Sequence, residues 1–195
     1  MLCSSPGLSP PAGPSMPMTL TDYLAVRQQR IDAALDAWVP AETVPPETIH
    51  RAMRYSLFAG GKRIRPVLCI AAAETIAGDP EGIENAACAL ELIHTYSLIH
   101  DDLPALDNDD VRRGRPTSHK VFGEAIAILA GDSLLTLAFQ VLAALDAIDA
   151  GRRVRLSLEL ATAAGTVGGM IAGQVHDLEG EGKPPTPELL ERIHR

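Results

Sequence analysis

The sequence predicts an all-α fold, and three of its properties lead to that prediction. Aromatic residues make up only 4% of the 195 residues, and alanine and leucine dominate the apolar 46%, which favours helices over strands. No segment alternates apolar and polar residues with a period of two, as a half-buried strand does. Apolar residues instead recur at helical spacing between clusters of proline and glycine.

Proline and glycine delimit the predicted helices. The first covers residues 19–38, with a threonine at its start as a cap. The second covers residues 47–59, begins after Pro46 and ends at Gly60 and Gly61. Further helices are predicted over residues 66–76, from about residue 81, over 121–148, over 152–166, and from about residue 188. Four glycines in the later part predict close approach of backbones: Gly165, Gly168, Gly169 and Gly173.

Charge and cysteine content narrow the class of protein. The chain carries 25 acidic against 17 basic residues, a formal net charge of −8, which argues against nucleic acid as a partner. Three cysteines with neither disulfide nor metal spacing predict a reducing, cytoplasmic compartment. Residues 1–17 lack a secretory signal and are rich in proline, glycine and serine, which predicts a disordered tail before one domain at residues 18–195. No charge-free run reaches the ~18 residues that an integral membrane span needs.

A dense acidic cluster ends the fourth predicted helix. Its members are Asp101, Asp102, Asp107, Asp109 and Asp110. Such carboxylates repel each other unless a cation lies among them, and the following Arg112 and Arg113 indicate a divalent metal that carries an anion such as phosphate. Pro104 has to kink or bulge the helix, which can bring Asp101 and Asp107 together as ligands for Mg²⁺, with Mn²⁺ as a second ion. The alternative is a solvated acidic loop.

A basic segment, GGKRIRP at residues 60–66, is the complementary feature. Two glycines expose backbone at a helix junction, and Lys62, Arg63 and Arg65 add three cations within four residues, a group able to hold a diphosphate. The alternative is an ordinary basic surface feature. Together with the acidic cluster, the segment predicts two anion sites, one built with metal and the other with protein cations.

Three polar residues outside these segments are candidates for the same site. His94 precedes Asp101 by two helical turns and can line the same groove, although a lone helical histidine is more often a core residue. Gln174 and Asp177 are three positions apart on one helix face. They form either a buried hydrogen-bond network or a second wall of the site.

These residues lie within four segments that closely resemble the short-chain trans-isoprenyl diphosphate synthases. The segments are GGKRIRP, LIHTYSLIHDDLPALDNDDVRRGRPTSHKVFGE, AILAGDSLL and GQVHDLEGEGK. The nearest likeness is to the bacterial farnesyl diphosphate synthases, and it extends from about residue 20 to residue 195. The resemblance implies an isoprenoid-synthase-type bundle of helices around a central apolar cavity.

The resemblance also implies a role for each matching residue. Asp101 and Asp107 correspond to Mg²⁺ ligands of a first aspartate-rich motif, supported by Asp102, and Arg112 contacts the allylic diphosphate. The implied catalytic residues are therefore Asp101, Asp102, Asp107 and Arg112. The implied ligands of isopentenyl diphosphate are Gly61, Lys62, Arg65, His94 and Arg113. Gln174 and Asp177 match a segment that lines the site.

The reaction that the resemblance implies is the condensation of isopentenyl diphosphate with dimethylallyl or geranyl diphosphate. The allylic diphosphate, neutralised by Mg²⁺, departs. The double bond of isopentenyl diphosphate attacks the resulting cation, and a proton is lost to the departing pyrophosphate. Apolar helices keep water away from the cation.

The resemblance also implies which residues determine the chain length of the product. In the family these residues form the cavity floor just before the first aspartate-rich motif, where this chain has Tyr96 and Ser97. Five helical residues span ~7.5 Å, a little more than one isoprene unit. A tyrosine there resembles the farnesyl (C15) pattern, and a smaller residue would indicate geranylgeranyl (C20). The alternative role for Tyr96 is core packing.

Several alternatives stay open from the sequence. Geranylgeranyl or geranyl diphosphate synthase is the nearest competing activity. His100 and Asp101 also resemble the start of an HD-type metal phosphohydrolase site, which leaves GGKRIRP unexplained. The family's second aspartate-rich motif is not among these residues, and the last helix has no stop signal, so we expect a C-terminally incomplete chain. An inactive truncated subunit is a further alternative. Because the family is typically homodimeric, we expect a homodimer.

Overall fold

Nine helices and one short hairpin make up the part of the chain that the structure describes. The structure is a computed structural model and describes residues 18–78, 82–184 and 186–194. The predicted all-α class is confirmed. The tail predicted at residues 1–17 and the helix start predicted near Glu81 lie outside the described residues.

The helices are α1 Leu20–Trp38, α2 Glu47–Leu57, α3 Ile64–Ala77, α4 Ile83–Asp101, α5 Ser118–Phe122, α6 Glu124–Ala143, α7 Ala150–Ala164, α8 Met170–Gly180 and α9 Pro187–His194. The two strands of the hairpin are β1 Val111–Arg112 and β2 Arg115–Pro116, and they pair antiparallel.

Helix α4 lies at the centre of the bundle and carries most of the candidate site. It packs against α6, α3 and α1, and buries Cys88, Leu92, Tyr96 and Ile99 among others. Burial of a leucine-sized side chain contributes about 1.5–3 kcal/mol, so these contacts hold α4 firmly in the bundle. Its remaining face borders an open cleft.

The ends of α1 follow the prediction closely. The Thr19 side chain accepts a hydrogen bond from the N–H of Asp22, and the Asp22 carboxylate accepts one from the backbone of Thr19. Such a capping box removes two unpaired donors from the helix start, and its loss costs about 0.5–2 kcal/mol. Ile31 and Leu35, both 0% exposed, anchor the helix in the core.

The single long helix predicted over residues 121–148 is wrong. The chain forms α5 and α6 there, with a break at Gly123, whose φ is 82°. That backbone conformation is open to glycine and costly for other residues, so it ends α5 and lets α6 start in a new direction. Helix α6 then stops at Ala143, well before the predicted end.

Helix α3 departs from its predicted start at residue 66, and the Arg-Gly-Arg-Pro loop at residues 113–116 contains a hairpin turn that was not predicted. Helix α3 begins at Ile64, so Pro66 sits in its first turn, where no N–H is needed. The loop forms the β1–β2 hairpin, in which Arg113 and Gly114 have φ values of 53° and 75°. Two successive positive φ values are typical of a type I′ hairpin turn, which turns the chain back towards the bundle.

Helix α6 is the one helix in the described part of the chain that is long and apolar enough to cross a membrane, judged by length and composition alone. Of its apolar 18-residue stretch, 44% is buried inside the protein. The core helix of a bundle has the same properties.

At Gly173 in α8, an added Cβ would lie 2.6 Å from the carbonyl oxygen of Ile193. This confirms the predicted close backbone approach at that glycine.

Candidate active site

The two aspartates predicted to bind metal meet where α4 ends. Helix α4 stops at Asp101, and the N–H of Asp107 donates to the carbonyl oxygen of Asp101 across 2.8 Å. The helix therefore ends in a tight turn instead of kinking and continuing. Burial, and next the charge of Asp107, raise the pKa of Asp101 above its ordinary value. Two carboxylates that repel each other in this way gain from a shared cation.

The other aspartates have protein partners. Asp102 is 3% exposed. Its Oδ1 accepts a hydrogen bond from Arg112 Nε at 2.7 Å and forms an ion pair with Arg112 Nη2, also at 2.7 Å. Asp109 lies 3.7 Å from Arg112 Nη2, and Asp110 pairs with Lys120 at 2.7 Å. The hydrogen bond that Arg112 donates to Asp102 is the main cause of the raised pKa of Arg112. Asp102 thus orients Arg112, which leaves Asp101 and Asp107 as the pair able to hold a metal.

Three predicted diphosphate ligands, Arg65, His94 and Arg113, lie close together, and Lys62 belongs to the same basic segment as Arg65. We call Lys62, Arg65, His94 and Arg113 the basic cluster. Arg65 Nη1 lies 3.3 Å from His94 Nε2. Burial, and next the charge of Arg65, lower the pKa of His94, so the imidazole is neutral at pH 7. Lys62 is exposed at the start of the segment.

Gly61 gives the basic cluster its close packing. Arg113 donates a hydrogen bond to the carbonyl oxygen of Gly60. A Cβ on Gly61 would lie 2.7 Å from Arg113 Nη1, and Gly61 has a φ of 129°. The backbone conformation therefore favours glycine here, and a Cβ would displace the end of the Arg113 side chain.

The prediction that Arg63 joins the diphosphate-binding cations is wrong. Its side chain is buried, with 4% exposure, and it donates hydrogen bonds to Asp32, Glu91 and the carbonyl oxygen of Leu57. From the sequence, Arg63 could not be distinguished from Lys62 and Arg65, because all three are cations in one short segment. The backbone conformation at Arg63, with a φ of 50°, turns its side chain inwards.

A cleft with a volume of about 590 Å³ is lined by Asp101 together with Arg65 and His94 of the basic cluster, whereas its lining does not include Lys62, Asp107, Arg112 or Arg113. This size is within the range of about 300–1,000 Å³ that is usual for small-molecule sites. Its polar lining consists of Arg65, His94, Ser97, Asp101 and His194. Its apolar lining includes Leu90, Ile93, Leu98, Leu160, Ala163, Ala164, Met170 and Ile193. The cleft can therefore accept a molecule with a charged head and an apolar tail.

The wall contributed by α7 was missed from the sequence. Leu160, Ala163 and Ala164 line the cleft together with Gly168 and Gly169. The signal available was the run of small residues over 161–169, since small side chains leave space beside a helix. Without the packing of α7 near α4, nothing in the sequence connects that run to the acidic cluster.

Comparison with known proteins identifies the family. The family model described as polyprenyl synthetase matches residues 46–194. The chain belongs to the polyprenyl synthetase family.

Curated members of this family are close in sequence but longer. The chain is 51% identical over 180 residues to a farnesyl diphosphate synthase of Geobacillus stearothermophilus, which covers 91% of the chain and 60% of that protein. It is 55% identical over 178 residues to the chloroplastic heterodimeric geranylgeranyl pyrophosphate synthase large subunit 1 of Arabidopsis thaliana, covering 88% and 47%. The chain thus spans about half to three fifths of the length of these relatives.

Solved structures support the same fold. A geranyltransferase from Legionella pneumophila matches with a TM-score of 0.84 and 42% identity, over 89% of this chain and 62% of that one. An FPP/GFPP synthase from Zymomonas mobilis matches with a TM-score of 0.81 and 38% identity, over 89% and 64%. The isoprenoid-synthase-type bundle predicted from the sequence is confirmed.

The remaining predicted residues of this polyprenyl synthetase chain lie in different surroundings. Ser97 lines the cleft, whereas Tyr96 is 6% exposed and packs edge-on against His100, with ring centroids 5.6 Å apart. Gln174 is half-buried and Asp177 exposed on α8, and neither is among the residues that line the cleft. Their roles in binding and in product length stay predictions.

A smaller cavity of about 40 Å³ lies beside Arg112 and Arg113. Thr95, Asp102 and Ser118 also line it, and the buried Oγ of Ser118 has no hydrogen-bond partner. This volume is enough for a few water molecules, which would satisfy the Ser118 hydroxyl. We therefore regard the larger cleft as the substrate site.

Proposed function

We propose that the chain is part of a trans-prenyltransferase that condenses isopentenyl diphosphate with an allylic diphosphate. The observation that carries the proposal is that Asp101, Arg65 and His94 line one cleft. The acidic pair, Asp101 and Asp107, requires a metal in order to accept an anion, whereas the basic cluster accepts one directly. Apolar side chains lie between them. Two diphosphates and an apolar chain fit this arrangement better than a single phosphorylated substrate does.

The acidic pair fits Mg²⁺ through its donor set. Mg²⁺ prefers one or two carboxylates, with water and phosphate oxygens as its other ligands, and Asp101 and Asp107 supply two that repel each other. In the described residues, no group of three or more His, Cys, Asp or Glu side chains could hold a metal. The pair would therefore hold the ion together with the substrate's phosphate oxygens. When bound, the ion supplies charge neutralisation that makes the allylic diphosphate a good leaving group.

The protein's own residues have separable tasks in this proposal. Arg112, fixed by Asp102, lies beside the acidic pair and faces the allylic diphosphate. The basic cluster binds the diphosphate of isopentenyl diphosphate. His94 can donate a hydrogen bond to it through its ring N–H. Leu98 and the α7 wall keep water from the carbon atoms that react.

The proposed product is farnesyl diphosphate, with geranylgeranyl diphosphate as the alternative. The relatives include both farnesyl and geranylgeranyl diphosphate synthases, so similarity to them does not distinguish between these two products. The presence of a tyrosine at position 96 supports the shorter product, because a ring near the cleft leaves less room for a growing chain.

Incubation of a complete enzyme that contains this sequence with labelled isopentenyl diphosphate, geranyl diphosphate and Mg²⁺, followed by sizing of the products, tests the proposal. We expect pyrophosphate release together with a labelled prenyl product, most of it C15. Release of inorganic phosphate without chain elongation would instead indicate a phosphohydrolase. No turnover and no binding of either diphosphate would contradict the proposed function.

A further inference from the structure

Arg63 lies in the sequence between Lys62 and Arg65, two exposed cations of the basic cluster, yet its own side chain is buried in the core. Its Nε donates to Asp32 of α1, its Nη1 to Glu91 of α4, and its Nη2 to the carbonyl oxygen of Leu57 of α2, each at 2.8 Å. One buried guanidinium therefore joins three helices at the point where the basic segment begins.

The charge of Arg63 is balanced within this network. Burial lowers its pKa more than any other single influence, but the hydrogen bonds and charges of Asp32 and Glu91 together raise the pKa above the ordinary value. Arg63 also has a left-handed backbone, with a φ of 50°, which is unfavourable for a residue with a Cβ. The three hydrogen bonds hold the segment in this conformation despite that cost.

Three members of the basic cluster lie on segments that Arg63 joins, and the fourth, Arg113, is hydrogen-bonded to one of these segments. Glu91 precedes His94 by one turn of α4, so the Arg63–Glu91 ion pair fixes how closely the basic segment approaches His94. Arg65 follows Arg63 by two residues and lies 3.3 Å from His94. On the other side, Gly60 accepts the hydrogen bond of Arg113.

We propose that Arg63 is a positioning residue for diphosphate binding. It sets the spacing between the basic segment and α4, and so holds the basic cluster in its binding arrangement without touching the diphosphate. The inference rests on the proposed function, because it assumes that the basic cluster binds a diphosphate.

Two conservative substitutions test the inference through the sign of their effects. Arg63→Lys keeps the positive charge but loses the planar fork that reaches three acceptors. Glu91→Gln keeps the shape of the side chain but removes a negative charge whose field raises the pKa of both His94 and Arg113. On charge alone, Glu91→Gln would strengthen the binding of an anion. Loss of positioning weakens it.

The probe is inorganic pyrophosphate in calorimetric titrations that contain EDTA, so that only protein cations bind it. We expect its Kd to rise about tenfold or more in Arg63→Lys, because misplacement of binding groups by about 1 Å has effects of this order. In Glu91→Gln we expect the Kd to rise as well. Circular dichroism below the melting midpoint confirms that each variant is folded.

Arg54→Lys is the matched control. Arg54 also joins two parts of the bundle, through Asp36 and the carbonyl oxygen of Val39, but it has no contact with the basic cluster. We expect it to lower the Tm while the Kd stays within about twofold, since lost stability alone does not move binding groups.

The outcomes separate the inference from the proposed function. Tighter binding in Glu91→Gln, or an unchanged Kd in Arg63→Lys, overturns the positioning role of Arg63 while the parent chain still binds. If the parent chain binds neither pyrophosphate nor isopentenyl diphosphate, the proposed function fails and the inference falls with it.

Discussion

Asp107 donates its backbone N–H to the carbonyl oxygen of Asp101 across 2.8 Å, and this one hydrogen bond closes the turn that ends α4. Without it, the two carboxylates would lie at unrelated positions, since residues six apart on an ideal helix point about 120° away from each other. The turn places them close enough for the charge of Asp107 to raise the pKa of Asp101. Their repulsion in the absence of metal has consequences that can be measured.

Replacement of Asp101 by Asn should stabilise the metal-free chain at neutral pH. Burial and the charge of Asp107 raise the pKa of Asp101 above its ordinary value, so the ionised carboxylate opposes folding. Because the native state binds this proton more tightly than the unfolded state, the cost exists above the native pKa and disappears as the pH falls through it towards 3.8.

Urea unfolding in EDTA measures this effect. The gain in unfolding free energy from Asp101→Asn should shrink between about pH 7 and pH 4. Asp110→Asn serves as the control, because Asp110 is exposed and paired with Lys120; it should show no gain. A gain in Asp101→Asn that does not change with pH would contradict repulsion within the acidic pair.

Gly61→Ala should weaken diphosphate binding, whereas Gly60→Ala should not. Both glycines have positive φ, 94° at Gly60 and 129° at Gly61, so both substitutions strain the backbone, by about 1–3 kcal/mol. Only at Gly61 does the new Cβ meet Arg113; at Gly60 nothing lies within 4 Å. Unfolding free energies and pyrophosphate Kd values, measured side by side, separate strain from displacement of Arg113. Equal Kd values in the two variants would contradict the assigned contact.

Diphosphate binding should draw a proton onto His94. Burial and the charge of Arg65 lower the pKa of His94 below 6.5 in the free protein, and a bound diphosphate raises it again. Titrations near about pH 6, in two buffers of different ionisation enthalpy, should therefore show proton uptake. His94→Gln should remove the uptake and keep part of the affinity. Uptake of the same size in that variant would show that another group takes up the proton.

Tyr96→Ala should lengthen the prenyl product of a complete enzyme that contains this sequence. The substitution removes a ring that is 6% exposed and leaves space near Ser97, which lines the cleft. It should also cost stability, about 3 kcal/mol for a buried aromatic residue. Tyr96→Phe keeps the ring and should keep the C15 product. An unchanged C15 product from Tyr96→Ala would rule out Tyr96 as a length determinant.

Elements defined by local signals could be predicted well. Helix α1 lies within one residue of its predicted bounds because a capping threonine and a proline-rich segment mark its ends. The single helix predicted over residues 121–148 failed because Gly123 looks like a tolerated helical glycine in the sequence. Only its φ of 82° shows that it separates two helices.

The candidate site could be predicted where its residues act through charge and spacing. The acidic pair and the basic cluster could be predicted because closely spaced residues of like charge repel each other unless an ion of opposite charge binds between them. Arg63 could not be distinguished from its neighbours, because its partners Asp32 and Glu91 are 31 and 28 positions away. The position of the α7 wall could not be predicted either, because the sequence of an apolar helix does not show which other helix it packs near.

In the proposed site, one diphosphate binds through a metal ion and the other binds to protein cations. Calorimetry with and without Mg²⁺ measures this difference directly. We expect isopentenyl diphosphate to bind equally well in EDTA and in Mg²⁺. We expect geranyl diphosphate to bind tightly only with Mg²⁺, and Asp107→Asn to abolish that difference while leaving isopentenyl diphosphate unaffected. Binding of both diphosphates that depends on Mg²⁺ to the same extent, or on neither the metal nor Asp107, would contradict the two-site assignment.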